Sequence, residues 1–375
     1  MKLLQINKHY LPFSGGTIRI VEAIATLSSA RCQMTIVTCA PKGRGRTYLS
    51  GGTRIVEAGS FGTIWSLPVA PLFPWLCARE IRRHDRVLLH LPLPGPDLVF
   101  WAAARASADL VIWWHSDIIR QRGVLRLYEP ILRHALGRAR TILVSHPAVI
   151  RASALLAPFA EKCVVVPFGV DITRFVLTEE ERHAAGRLRA RLAGKRPLGL
   201  FVGRLVYYKG LEVLLEAAVQ VDLHLAIAGV GPLESKLRKQ AAAAGLSKRV
   251  SFLGEVSDAE LKLLYEGCDF LVLPSVAASE TFGLVQIEAM AAGRPVINTA
   301  LDTAVPEVSV DGETGLTVPP GNAGALADAM RRLANDTDLR ERFARDGRAR
   351  VRREFSLARM VEALEPILCG GGSAG

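Results

Sequence analysis

This chain has no Cys-x-x-Cys pair and no cluster of cysteine with histidine. Its six cysteines, Cys32, Cys39, Cys77, Cys163, Cys268 and Cys369, are scattered over 375 residues. That usage suits a reducing cytosol and excludes a disulfide framework or a structural zinc site. No secretory leader is expected either: in "MKLLQINKHYLP" only a short gap separates Lys2 from the next polar residues, too little for an apolar leader core. No long hydrophobic run is present. The best candidate, "TIWSLPVAPLFPWLCA" (63–78), is broken by Pro68, Pro71 and Pro74, whereas a spanning helix needs about 20 apolar residues. Two readings of it stay open. Trp65, Phe73 and Trp75 dip into a membrane interface beside Arg79, Arg82 and Arg83, or the segment is a buried loop.

Acidic residues are scarce in one half only. The chain carries a net charge of +11, but residues 1–175 hold 22 Lys and Arg against 10 Asp and Glu, and the remainder holds 25 against 26. All the basic excess therefore sits in the first half, where it suits nucleic acid, a phosphorylated substrate or an anionic membrane. Zinc-finger spacing, an RNP-like aromatic strand and a long basic helix are all missing, so no nucleic-acid partner is expected. Peripheral contact with an anionic membrane, at the inner face of the plasma membrane, is.

Hydrophobic residues at 50% and charged residues at 22% describe an ordinary globular chain, too long for one core. In the first half, "KLLQIN", "QMTIVTC", "DRVLLHLP", "DLVIWWHS", "RTILVSH" and "KCVVVPFG" read as strands, with helical stretches such as "IRIVEAIATLSSA" and "PDLVFWAAARA" between them. In the second, "PLGLFVG", "LHLAIAG", "RVSFLG", "DFLVLP" and "PVINT" alternate with helical periods. Continuous apolar strands alternating with helices predict an α/β protein with a parallel sheet in each of two domains. The expected boundaries are 1–172 for the first domain, 173–195 for a polar linker and 196–352 for the second. Residues 353–375 form a final helix that packs back across the boundary, with a frayed "CGGGSAG" tail.

Three motifs carry candidate chemistry. In "FVGRLVYYKGLEVLLEAA" (201–218) a strand ends at Gly203, a loop holds Arg204 and Lys209, and a helix follows. Two cations beside a helix start suit a diphosphate, or are ordinary surface charges near a turn. In "AIAGVGPLESKL", Gly229 and Gly231 either let a ligand approach or merely turn the chain; the third glycine of a dinucleotide site is missing. In "DFLVLPSVAASETFGLVQIEAMAAGRPVI" a helix is expected to begin near Phe282–Gly283, so that the amides of Thr281, Phe282, Gly283 and Leu284 face an anion. Glu280 lies beside that start, and Glu288 lies inside the helix among apolar residues, where a buried carboxylate needs donors. In the first half, Gly15-Gly16 precede a helix, and His115, Ser116 and Asp117 end a strand, where open α/β sheets bind ligands.

Taken together, "GRLVYYKG", "AGVGPLESKL", "FLGEVSDAELKLLYEGCDFLVLPS", "SETFGLVQIEAMAAGRPVI" and "DGETGLTVPPGN" resemble the retaining glycosyltransferases of family 4 (group 1). The resemblance extends over nearly the whole chain, more loosely through "FSGG", "WHSD" and "VVPFGVDITRF". It implies the GT-B fold: two facing Rossmann-like domains with the active site in the cleft between them. It assigns Arg204 and Lys209 to the donor diphosphate in place of a metal, so that no cofactor is needed. Glu288 is assigned to the ribose hydroxyls, Glu280 with the following amides to sugar and phosphate, Gly16 to close backbone approach, and His115 to the reacting face of the sugar. The first domain would receive a lipid-linked or oligosaccharide acceptor.

This chain departs from the family at "PFGVD" (167–171), where an asparagine is usual, and at Tyr207-Tyr208, where an acidic residue is frequent before the lysine. Both features, with "WHSDI", resemble exopolysaccharide and O-antigen mannosyltransferases, which implies GDP-mannose as donor. The alternatives are a UDP-sugar-dependent member, an epimerase or phosphorylase of the same fold, and a non-catalytic subunit that binds a nucleotide sugar.

Overall fold

The computed structural model describes residues 1–8, 10, 16–28, 32–64, 67–91, 93, 108–115 and 122–370. The helix expected in "PDLVFWAAARA", together with Gly15, Trp65, Ser116 and Asp117, lies outside the described residues. The chain divides into two compact units, one of Met1–Phe168 with Ala358–Gly375 and one of Gly169–Leu357.

The first unit is built on strands β1 (Lys2–Ile6), β2 (Gln33–Cys39), β3 (Arg46–Ser50), β4 (Thr53–Ala58), β7 (Arg86–Leu91), β8 (Asp109–Trp114), β9 (Thr141–Val144) and β10 (Cys163–Val165). A two-stranded ladder of β5 (Thr63–Ile64) and β6 (Leu67–Pro68) stands apart from this sheet. Among the described residues the sheet runs β10-β9-β8-β7-β1-β2-β4-β3. Its pairs are parallel except the β3–β4 hairpin. Chain order reverses between β1 and β7, which places their carboxyl ends beside a topological switch point. The hairpin is absent from the sequence reading, although Gly51-Gly52, both at positive φ, are the two-residue turn signal for one. Apolar side chains on both faces of these strands are buried, Trp113 and Trp114 among them.

In the segment 63–78 the helix Phe73–Ile81 follows the ladder, with Pro74 in its first turn, where a missing N–H costs nothing. Of the two readings left open, Phe73 follows the buried one: it is buried with Cys77 and Ile81, on the stripe of that helix that packs into the core. Leu72 and Trp75 point outward, 63% and 59% exposed.

The second unit carries β11 (Leu198–Val202), β12 (His224–Ala228), β13 (Val250–Gly254), β14 (Phe270–Val272), β15 (Val296–Thr299) and β16 (Gly315–Val318). They are ordered β13-β12-β11-β14-β15-β16 and are parallel throughout. This is the doubly wound order, with its switch point between β11 and β14. Residues 173–195, expected as a linker, belong to this unit. They form the short turn Ile172–Phe175 and the helix Glu179–Ala193, which opens with a reciprocal Thr178/Glu181 capping box. Lys262 pairs with Glu181, and the Arg189 guanidinium donates to the Gly267 carbonyl and pairs with Asp269. The polar composition of that segment is the solvated face of a docked helix.

The last helix, Leu357–Leu368, falls in the first unit from Ala358 onward. There Arg86 donates to the carbonyls of Ile367 and Gly370, at 2.6 and 3.2 Å, and the Sγ atoms of Cys32 and Cys369 are 3.0 Å apart. No helix among the described residues is long and apolar enough to cross a membrane.

Candidate functional site

The loops that leave β11 and β14 lie side by side because those strands are neighbours in the sheet. The first loop is clamped from its other side by the loop after β12. Gly203 N donates to Ala228 O and Leu205 N to Val230 O, both at 3.0 Å. This explains Gly229 and Gly231: a Cβ on either would stand 2.0 Å from Gly203 O or 2.4 Å from Leu205 O. These glycines serve backbone packing, and that packing holds Arg204 on a rigid loop with its side chain exposed.

Further along the same loop, Tyr207–Lys209 form one 3-10 turn that ends at Gly210, φ +67°. Val276 N donates to Tyr208 O at 2.8 Å. A Cβ on Gly210 would stand 1.9 Å from Pro274 O, so only glycine permits this approach of the two loops. The contact brings Lys209 to Glu280. Their ammonium and carboxylate form an ion pair, with both residues 8% exposed. Ser275 Oγ donates to Glu280 Oε2 at 3.0 Å, and the Lys209 ammonium also stands 5.7 Å from the Tyr208 ring centre. Burial raises the Tyr208 phenol above its ordinary value, so it stays protonated beside the cation.

The helix after β14 spans Leu284–Ala291, with Gly283 at φ +72° as its N-cap. It therefore starts one residue beyond the expected Phe282–Gly283 start. Its first turn is Leu284 onward, so Thr281 and Phe282 precede the run of amides that a helix start presents. Phe282 is buried, edge-on to Phe355 at 5.9 Å, and Thr281 O accepts from Ala304 N. Glu288 is buried in the second turn, where Tyr265 Oη donates to its Oε2 at 2.9 Å. Behind this start, Gln286 Nε2 donates to Phe282 O and Val305 O, while Asn298 Nδ2 donates to Gln286 Oε1. This buried amide network fixes the turn that carries Glu280.

Gly16 and His115 belong to the first unit. Gly16 opens the helix Gly16–Ser28 after β1, and His115 follows directly on β8. The His115 imidazole contacts His90 and lies near Phe168 and Trp113, with ring centres 5.9 Å away in both cases. Phe168 is the residue at the usual asparagine position, and it is buried against this histidine. Burial, and after it the charge of Lys8, push the His115 imidazole down to about 3. It is neutral near pH 7. Ser275 and Tyr265, which support the acidic residues of the second unit, and His90 and Gln5, which support His115 in the first, carry no signal in the sequence reading. Only Tyr208 stood out there, as a departure from the family pattern.

Two family descriptions match the chain: "Glycosyl transferases group 1" over residues 187–350 and "Glycosyltransferase Family 4" over residues 13–174. It is similar to O-antigen chain mannosyltransferase C of Escherichia coli, 33% identical over 75% of this chain and 74% of that protein. D-rhamnosyltransferase WbpZ of Pseudomonas aeruginosa is 36% identical over 78% and 74%. Phosphatidyl-myo-inositol mannosyltransferase of Mycobacterium leprae is 31% identical over 94% and 92%. Among solved structures, sucrose-phosphate synthase (tll1590) of Thermosynechococcus elongatus shares the fold with a TM-score of 0.81 at 22% identity, covering 98% of both chains.

Proposed function

The chain belongs to the group 1, family 4 glycosyltransferases of GT-B fold, and we propose from this that it transfers mannose from GDP-mannose to a lipid-linked or oligosaccharide acceptor. The place of that reaction is the assembly of a surface polysaccharide or mannolipid at the inner face of the plasma membrane. The donor reading is supported by the names of the mannosyltransferase relatives. The observation that carries the site is the buried Lys209–Glu280 ion pair at the β11/β14 switch point.

In this reading the donor diphosphate lies against Arg204 and Lys209. Glu280 aims the ammonium, and phosphate oxygens take the other N–H directions of Lys209. The Glu288 carboxylate, anchored through Oε2 by Tyr265, accepts from the ribose hydroxyls. As the glycosidic bond stretches, negative charge grows on the leaving phosphate and is stabilised by the two cations and the positive end of the helix that begins at Leu284. Positive charge grows on the sugar, which a neutral His115 does not oppose. The departing phosphate takes the acceptor's proton on the same face that the acceptor attacks, so configuration is retained. No carboxylate then acts as nucleophile or base, unlike the paired carboxylates of a glycosidase. The cations serve where a divalent metal would otherwise neutralise the diphosphate.

A thermal-shift panel of GDP, UDP, ADP and dTDP tests the donor, because ligand binding raises apparent stability with log affinity. GDP is expected to give the largest shift, and a larger shift with UDP would overturn GDP-mannose. Transfer unchanged by a chelator is expected. Loss with the chelator and rescue by Mg²⁺ or Mn²⁺ would overturn metal independence.

A further inference from the structure

Three side chains of the first unit form a line whose hydrogen bonds admit only one arrangement of protons. Gln5, on β1, is fully buried, and its Nε2 donates to Val21 O in the following helix at 3.0 Å. A flipped amide would set oxygen against oxygen there, so Oε1 is the atom that faces His90. His90 Nε2 lies 2.9 Å from it and must carry a proton, because an amide oxygen only accepts. A neutral His90 then has its lone pair on Nδ1, which lies 2.8 Å from His115 Nε2. That contact needs the proton on His115 Nε2. The two rings are within 6° of coplanar with centres 5.1 Å apart, so they meet edge to edge along this bond.

We infer that Gln5 and His90 are positioning residues that hold His115 as its Nε2–H tautomer, with the ring plane fixed and the lone pair on Nδ1. Any hydrogen bond that His115 makes through Nδ1 is then one it accepts. Burial, and for His90 also the neighbouring His115, lowers the His90 imidazole well below its ordinary value, so both rings are neutral as the arrangement requires. His90 is 2% exposed and pairs across the sheet with Trp113, which leaves its ring little room to turn. The consequence for chemistry rests on the proposed transfer reaction. A group placed beside the reacting sugar must present the same atom and the same charge in every turnover, and the second imidazole and the amide enforce this.

Long-range ¹H–¹⁵N correlation of ¹⁵N-histidine-labelled protein reads the tautomer directly, with the two signals assigned by their loss in His115→Asn and His90→Asn. Wild type is expected to show Nε2–H at both rings. His90→Asn keeps an acceptor where Nδ1 stood and is expected to keep the His115 tautomer, whereas His90→Leu is expected to show a mixture. With GDP-mannose and native membranes, His90→Leu should lower kcat roughly tenfold or more with donor KM little changed, and His90→Asn should restore most of it. An Nδ1–H signal for His115 in wild type, or equal kcat losses in both variants with an unchanged tautomer, would overturn the relay. Full transfer by His115→Ala would instead remove the role of His115 in the reaction and leave the tautomer result standing.

Discussion

Lys209 and Glu280 are 71 residues apart in sequence and form a buried ion pair between the loops after β11 and β14. Removing one partner leaves the other charged with little water near it, which typically costs about 3–5 kcal/mol. Lys209→Ala and Glu280→Ala are therefore expected to lose both transfer and stability in urea unfolding. Lys209→Met with Glu280→Gln removes both charges, so most of the stability should return while transfer stays lost. Recovery of transfer in the double variant would mean the pair is structural only.

Gly210 separates two costs that usually arrive together. Gly245 has φ +72° with open space around it, and alanine there should cost about 1–2 kcal/mol from backbone strain alone. Alanine at Gly210 adds a collision with Pro274 O. A clearly larger loss of melting temperature is expected than for Gly245→Ala, together with loss of nucleotide binding. Equal losses would show that the two loops part without consequence.

Tyr265→Phe deletes the hydroxyl that donates to Glu288 and little else. A stability loss of about 1 kcal/mol is expected, with a several-fold rise in donor KM and a small change in kcat. An unchanged KM would detach Glu288 from the donor.

Acid should weaken the fold through two histidines held neutral, the buried His90 and the half-buried His115. The unfolded chain protonates His90 and His115 near the ordinary 6.5, while folded His115 does so only at about 3. Above about 6.5 neither state holds these protons, and their neutral burial carries no penalty. Below it the unfolded state binds more protons, so stability falls with pH, by up to about 1.4 kcal/mol per pH unit for each histidine and, for His115, down to about 3. Urea unfolding at pH 7.5, 6.5 and 5.5 measures the slope. His115→Asn should flatten it, and an identical slope in that variant would assign the loss elsewhere.

The exposed Leu72 and Trp75 lie on one short stretch with exposed Arg82 and Arg83. Sedimentation with anionic vesicles, weakened by salt, is expected for the wild type and reduced for Trp75→Ser. Equal sedimentation with neutral vesicles would leave the basic half to the acceptor alone.

Most strands were legible because they are short, predominantly apolar runs, as "VLLHL" and "VIWW" show, and a parallel sheet covered on both faces favours this. The β3–β4 hairpin was not legible because four of the five β3 residues are exposed, which blurs the apolar pattern; its Gly-Gly turn was the usable sign. The docked helix over 179–193 looked like linker because only Ala185 and Ala193 of it are buried. Its Thr-x-x-Glu start was the sign that charge alone concealed. The late start of the helix at Leu284 follows from Gly283 adopting positive φ, which composition does not specify.

Residue type and order were enough to determine the α/β class and the family, and to single out the charged residues proposed for the site, because local pattern and motif spacing are properties of the chain. Which charge meets which was decided by tertiary structure. Strand neighbours are chosen by sheet order, so Lys209 faces Glu280, Tyr265 anchors Glu288, and Gln5 reaches His115 through His90 from strands far apart in sequence. Hydrogen bonds and ion pairs act over about 3 Å, and only the folded sheet brings those atoms that close.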